Sequence, residues 1–196
     1  MNVRKPKPLP QTPTPELVER YSLQFQQNDK FGVDDRAIFK LVGAMPRNKQ
    51  LEEILLKVIA INSLYSTQIY ATRRMAEHIH RLQVDDRLQR AEARLVDEIA
   101  SLKLGEKTWR FYSFASKYCS FHNPNEYPIF DRFVQAMLVA YRNHYGFAKF
   151  KVDELRQYRT FKAVMETFRD HFGLQRYSMK DLDRFLWLYG VELEIA

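Results

Sequence analysis

The apolar positions recur at helical spacing along nearly the whole chain. From Pro15, the segment PELVERYSLQFQQ sets Leu17, Tyr21 and Phe25 on one face, with Thr14 as cap and Pro15 in the first turn. A short helix over 34–42 follows turn residues around Gly32, and the Asp34-Asp35 pair suits its start. KQLEEILLKVIAI (49–61) predicts a strongly apolar helix that runs, without Gly or Pro, into the polar stretch Asn62–Thr67. QIYATRRMAEHIHRL resumes the helical pattern at once, which predicts a tight αα corner. Residues 85–103 carry mixed charge at amphipathic spacing and read as one helix with a solvated outer face. LGEKT is then a short turn. From Thr108 an aromatic helix sets Phe111, Phe114, Ala115, Tyr118 and His122 on one face and Trp109, Tyr112, Ser116 and Cys119 on another, so it is central and buried. It breaks at His122-Asn123-Pro124. A turn ending Tyr127-Pro128-Ile129-Phe130 leads to Asp131, which opens a helix stopping near Gly146. Two more helices close the chain, the last capped by Ser178 with Asp181 and buried along Leu182, Phe185, Leu186 and Tyr189.

These elements predict an all-α protein, and the 6 glycines in 196 residues agree with it. Apolar content of 45% is ordinary, while the aromatic share of 14% is high. The length suits one compact domain or two small lobes sharing a cleft. Residues 1–15 hold five prolines plus Arg4, Lys5 and Lys7, and predict an extended or disordered arm that serves either phosphate contact or solubility. No long apolar run predicts a membrane span and the N-terminus lacks a signal-type core, so the expectation is a cytoplasmic protein, nucleoid-associated in a bacterium. The single cysteine, Cys119, excludes an internal disulfide or a cysteine-based cluster and reads as a buried small apolar residue. His78 and His80 point to different faces as exposed helix residues, and Asp34-Asp35 has no further carboxylates at ligand spacing. No metal and no cofactor is expected.

A net charge of +7 favours polyanionic partners. Lys149, Lys151, Arg156 and Arg159, interleaved with Phe147, Phe150, Tyr158 and Phe161, form either a strand-tracking surface or a solvated helix face. Lys107, beside the amides that would open the aromatic helix, suits a phosphate contact; a plain Gly-terminated helix end reads the same. Lys117 either snorkels out or points into a cleft. Asp131 is a natural N-cap, and its carboxylate, held by the free amides of the following helix, is rigid enough to serve chemistry as well.

Two stretches, ILLKVIAINSLYSTQIYAT and YPIFDRFVQAML, resemble the helix-hairpin-helix superfamily of DNA glycosylases, the group of endonuclease III and the 8-oxoguanine glycosylases. The similarity covers roughly residues 50 to 145. It implies two helical lobes with a cleft between them, here about 45–125 and 16–44 plus 126–196. It also implies a catalytic role for Asp131, a duplex-inserted polar residue near Asn62, and double-stranded DNA as partner of a monomer. Where the family has a Gly-rich hairpin this chain offers only LKLGEKT, so the hairpin is degenerate. The family's strand-cleaving members carry a lysine early in the helix before the Asp. Lys107 lies 24 residues before Asp131 and Lys117 too far along the aromatic helix, so a monofunctional enzyme is expected.

Such an enzyme flips a damaged or chemically modified base out of the duplex and hydrolyses its bond to the sugar, for repair or for defence against foreign DNA. Asp131 would stabilise the oxocarbenium-like sugar and orient a water. Tyr65 and Tyr118 would stack on the base, with Asn62, His122 and Lys117 in the pocket or on the duplex. Phosphate contacts would come from Lys107, Lys149, Lys151, Arg156 and Arg159. An inactive DNA-binding module on the same scaffold, or a helical interaction domain, are the alternative readings.

Overall fold

A computed structural model of the protein describes residues 9–194. Over these the chain forms α1 (Pro15–Gln27), α2 (Phe31–Ala44), α3 (Leu51–Leu64), α4 (Thr72–Leu82), α5 (Asp85–Gln89), α6 (Ala93–Ala100), α7 (Tyr112–His122), α8 (Arg132–Tyr145), α9 (Tyr158–His171) and α10 (Met179–Glu192). Two four-residue strands, β1 (Ser101–Leu104) and β2 (Lys107–Arg110), stand between α6 and α7. The protein is therefore mostly helical, as its periodicity predicts.

Several boundaries follow from local chemistry. Thr14 accepts the Leu17 amide with Pro15 inside the first turn. Ser178 and Asp181 form a reciprocal capping box on α10. Gly146 closes α8 with φ 65°, where a side chain would be strained.

Two stretches depart from the sequence reading. Residues 85–103 are not one helix: the chain breaks after Gln89, turns through Ala91 at φ 55° and restarts as α6. Arg87 braces this break by pairing with Glu92 and Glu98, both at 2.8 Å. LKLGEKT is the heart of an antiparallel hairpin, with Leu104 opposite Lys107 and Gly105 at φ 62° in the turn. The aromatic helix consequently starts at Tyr112 rather than at Thr108.

Helix α1 packs on α2 and α10, and α10 also packs on α8. Helix α7 packs on α2, α3 and α6, while α3 also packs on α4. One continuous hydrophobic core joins both groups, with Phe114, Tyr118, Phe121, Tyr141, Phe168 and Phe185 among its largest side chains. Of the predicted arm, residues 1–8 lie outside the described residues. Residues 9–14 run extended against α8 and α10: the Gln11 amide donates to the Tyr189 hydroxyl (3.0 Å), while Tyr141 and Tyr145 donate to the Gln11 and Pro10 carbonyls (both 3.1 Å).

Candidate functional site

The loop before α8 is fixed residue by residue. Tyr158 donates to the Pro128 carbonyl (2.8 Å), the Ile129 amide donates to Asp183 (3.2 Å), and the Phe130 amide donates to the Ser116 hydroxyl (3.1 Å). Asp131 follows in extended conformation and one of its oxygens accepts the Phe133 amide at 2.9 Å. That is the expected cap. It leaves the second oxygen outside any hydrogen bond within the described residues, on a half-buried carboxylate held by three upstream anchors.

Asp131 opens onto a cavity of about 470 Å³ lined also by Lys117, Tyr65, Ile129, Lys180 and Asp183. Phe25, Phe31 and Trp187 add an aromatic wall, and Lys30 and Asp34 come from the α1–α2 turn and the start of α2. Lys117 is 5% exposed, and burial lowers its amine to about 8, with Asp131 and Asp183 opposing that shift and Lys180 adding to it. Its Nζ donates to the Ser113 hydroxyl (2.7 Å) and lies 5.6 Å from the centre of the Tyr65 ring. Because the hairpin takes residues 107–110, Lys117 is the sixth residue of α7, in its second turn. It stands closer to the start of its helix than a helix opening at Thr108 would put it.

Tyr65, Lys180 and Asp183 of the cavity lining belong to a buried charge network that the sequence reading missed. Asp35 sits inside α2, not at its start, and is 2% exposed. Its oxygens meet Lys180 Nζ at 3.2 Å, the Arg184 guanidinium and the Tyr65 hydroxyl at 2.9 Å. Burial pushes this carboxyl up, but Lys180 and Arg184 outweigh it and hold it below its ordinary range. Burial first, and then the same Asp35 contact, raises the Tyr65 phenol far above its usual value. Asp183 is pushed by burial up to about 6. The signal for this network was present in α10: Lys180, Asp183, Arg184 and Trp187 recur at i, i+3, i+4 and i+7, a polar strip beside the apolar stripe.

Other expected site residues lie elsewhere. Tyr118 follows Lys117 by one residue, about 100° around the helix, and is turned away from the cavity that Lys117 lines. It is sealed in the core with its hydroxyl on Asn48 (2.5 Å). His122 shares that face and borders a different depression with Arg47 and Asp85. Its ring meets the Tyr118 carbonyl (2.8 Å) and, at 3.4 Å, the fully buried Lys57 ammonium. Burial lowers this imidazole to about 4. Lys57 itself donates to the carbonyls of Met45 and Arg47 and to Asn48, clipping the α2–α3 loop in place. Lys107 stands exposed in β2 and opens no helix. Lys149, Lys151, Arg156 and Arg159 are exposed on the segment from the end of α8 into α9, and none lines the cavity. His78 and His80 are half-buried rather than exposed, with ring nitrogens at the Glu98 and Lys49 carbonyls.

Asn62 is spent on its own corner. Its amide accepts from Thr67 Oγ1 (2.9 Å) and the Ile69 amide (2.8 Å) and donates to the Ile69 carbonyl (3.0 Å). These bonds hold Ser66 and Gln68 at φ 48° and 60°. Left-handed conformations at non-glycine residues cost on the order of 1–3 kcal/mol each and persist only where the surroundings impose them.

The family model HI_0787_N, described as an N-terminal domain, matches residues 17–126, more than half of the chain. The chain belongs to this family. The HI_0787_N match contains the α3–α4 corner, the hairpin and Lys117. Asp131, Lys180, Asp183 and Trp187 lie beyond its end. A Haemophilus influenzae protein named only "Uncharacterized protein" is 39% identical over 144 residues, which is 73% of this chain and 69% of that one. No solved structure matches. Among the described residues no group of three or more His, Cys, Asp or Glu is gathered to hold a metal, and no helix is long and apolar enough to cross a membrane.

Proposed function

We propose that this chain is a DNA glycosylase on a two-lobed, helix-hairpin-helix-like scaffold, and that the cavity at Asp131 receives a nucleotide everted from double-stranded DNA. One observation carries the reading: a rigid carboxylate and a buried amine, Asp131 and Lys117, line one cavity with an aromatic wall. A cavity of about 470 Å³ suits a small molecule with a planar ring. Phe31, Trp187 and Tyr65 supply flat apolar surface for the extruded damaged or modified base, whose eversion costs about a few kcal/mol.

The chemistry asked of Asp131 is electrostatic. As the bond from the base nitrogen to C1′ breaks, both electrons leave with the base and positive charge builds on the sugar. A carboxylate that is already fixed stabilises that charge without reorganising. Water oriented by the same carboxylate then adds to C1′, giving an abasic site and the free base. The DNA partner, a monomeric state and a place in the cytoplasm or nucleoid belong to the same proposal, and the net charge of +7 supports the first of them.

The amine of Lys117 favours a second route for the same cleavage. With its proton held only to about 8, roughly a tenth of the amine is neutral at pH 7. The neutral amine attacks C1′, the base departs with its electrons and a proton from the attacking nitrogen, and ring opening, with the ring oxygen taking a proton from water, leaves an iminium between Nζ and C1′.

One assay tests both. DNAs carrying a panel of lesions and natural modifications are incubated with the protein and scored for alkali-labile sites, with and without borohydride. Alkali-labile sites lost in Asp131→Asn support the glycosylase reading; their absence with every substrate refutes it. A borohydride-trapped adduct that disappears in Lys117→Met assigns the amine route, and cleavage without an adduct assigns water. Asn caps a helix as well as Asp, so Asp131→Asn should alter stability by less than about 1 kcal/mol.

A further inference from the structure

The α3–α4 corner stands between two hollows. Leu64, Tyr65 and Ser66 face the cavity described above, while Thr67, Gln68, Tyr70 and Ala71 form one wall of a second groove of about 610 Å³. The other wall holds Trp109 and Arg110 from the hairpin and Ser113 from the first turn of α7. Ser113 is also the residue whose hydroxyl accepts Lys117 Nζ, so a single helical turn borders both hollows.

Tyr70 is 96% exposed and Trp109 52%, the only aromatic side chains among the described residues that stand mostly in solvent. Tyr70 is presented by a corner in which Asn62 enforces two left-handed residues, so its position is imposed rather than incidental. Arg110 lines the groove, and the exposed Arg73, Arg74, Lys103 and Lys107 lie within three positions along the chain of residues that line it. Glu77 meets both Arg73 and Arg74, Asp97 meets Arg110, and Glu106 sits at the hairpin turn, which leaves the rim net positive. Flat aromatic surface inside a basic rim is the surface that unpaired bases on a polyanionic strand recognise.

We propose that Tyr70 and Trp109 form a stacking shelf for unpaired bases of DNA adjoining the nucleotide held at Asp131, so that the protein prefers DNA locally opened over fully paired duplex. The proposal rests on the reading of the Asp131 cavity as a nucleotide site. Bases displaced when a nucleotide leaves the stack would settle on the shelf across the corner, and the cations of the rim would take their phosphates.

The test measures affinity by fluorescence anisotropy, at about 50 mM salt, for a fluorescein-labelled duplex with a three-nucleotide bulge and for its fully paired counterpart. Tyr70→Ala and Trp109→Ala should each weaken binding of the bulged DNA about fivefold or more, and of the paired DNA less than about twofold. Trp109→Phe keeps a stacking face and should retain most of the affinity; both sites are exposed, and circular dichroism checks the fold. Equal losses on both DNAs, or none on the bulged one, overturn the shelf. A dimer on size exclusion that Trp109→Ala dissociates would assign the groove to a second copy and likewise overturn it. Abasic-site formation is scored on the same samples. Selective loss of bulged-DNA binding without abasic sites in the wild type sinks the glycosylase reading and keeps the shelf; abasic sites with unselective variants do the reverse.

Discussion

Replacing Lys117 by Met should make the protein more stable. The side chain is 5% exposed and burial brings its amine from an ordinary 10.5 down to about 8. Holding that amine charged in the folded state therefore costs about 3 kcal/mol at neutral pH. Methionine keeps the length and apolar stem, and forfeits the bond to Ser113, which contributes about 1 kcal/mol. The expected balance at pH 7 is a gain of about 2 kcal/mol, or about 4–8 °C in Tm for a domain of this size. The pH dependence gives the sharper check. Between pH 8 and 10.5 the unfolded chain holds a proton on this lysine that the folded chain has released, so wild-type stability rises through that window while Lys117→Met does not follow. The advantage of the variant should thus be full below pH 8 and fall below about 1 kcal/mol by pH 9.5. Urea unfolding at the two pH values measures it. A variant less stable than wild type at pH 7, or an advantage indifferent to pH, would refute the reasoning and make Lys117 a structural residue.

Asn62→Ala removes three side-chain hydrogen bonds from the α3–α4 corner and should cost about 2–3 kcal/mol in urea unfolding, with amide exchange accelerated locally at residues 66–70. Asp35→Asn strands the buried Lys180 and Arg184 charges and should destabilise by about 3–5 kcal/mol; a loss below about 1 kcal/mol would deny the network its place in the core. His122 should stay neutral well below its ordinary 6.5, since burial first, and Lys57 as well, hold its pKa to about 4. Its contribution to stability is complete above pH 6.5 and is lost as pH falls toward 4, which ring-nitrogen NMR titration and acid unfolding of His122→Asn would follow together.

Much of the helical order was legible because helices announce themselves locally. Thr14 before Pro15, Ser178 with Asp181, and Gly146 are short-range signals, and each marks an observed helix end. The hairpin escaped because its strands of four residues are too short for alternation to register, and its turn signal was read as the link between two helices. The break at Ala91 escaped because no glycine or proline marks it. Within the site, the fixed position of Asp131 was readable from the end of its loop and the start of its helix. The assignment of Tyr118 and His122 to the cavity failed because face membership on a helix apolar all round is decided by its neighbours, not by spacing. Asp35 and Arg184 are 149 positions apart, and nothing in the chain between them hints that they meet.

The cavity draws on α2, α7 and the start of α8, but one wall comes from α10, the last helix among the described residues. A ribosome makes Asp35 long before it makes Lys180 and Arg184, so through most of synthesis the acid has no counterions to be buried with. Earlier helices can condense around the aromatic core, yet the cavity is complete only when the final segment swings in and closes the ion network. A nascent or clipped chain lacking that segment is a helical body whose cavity has lost one wall.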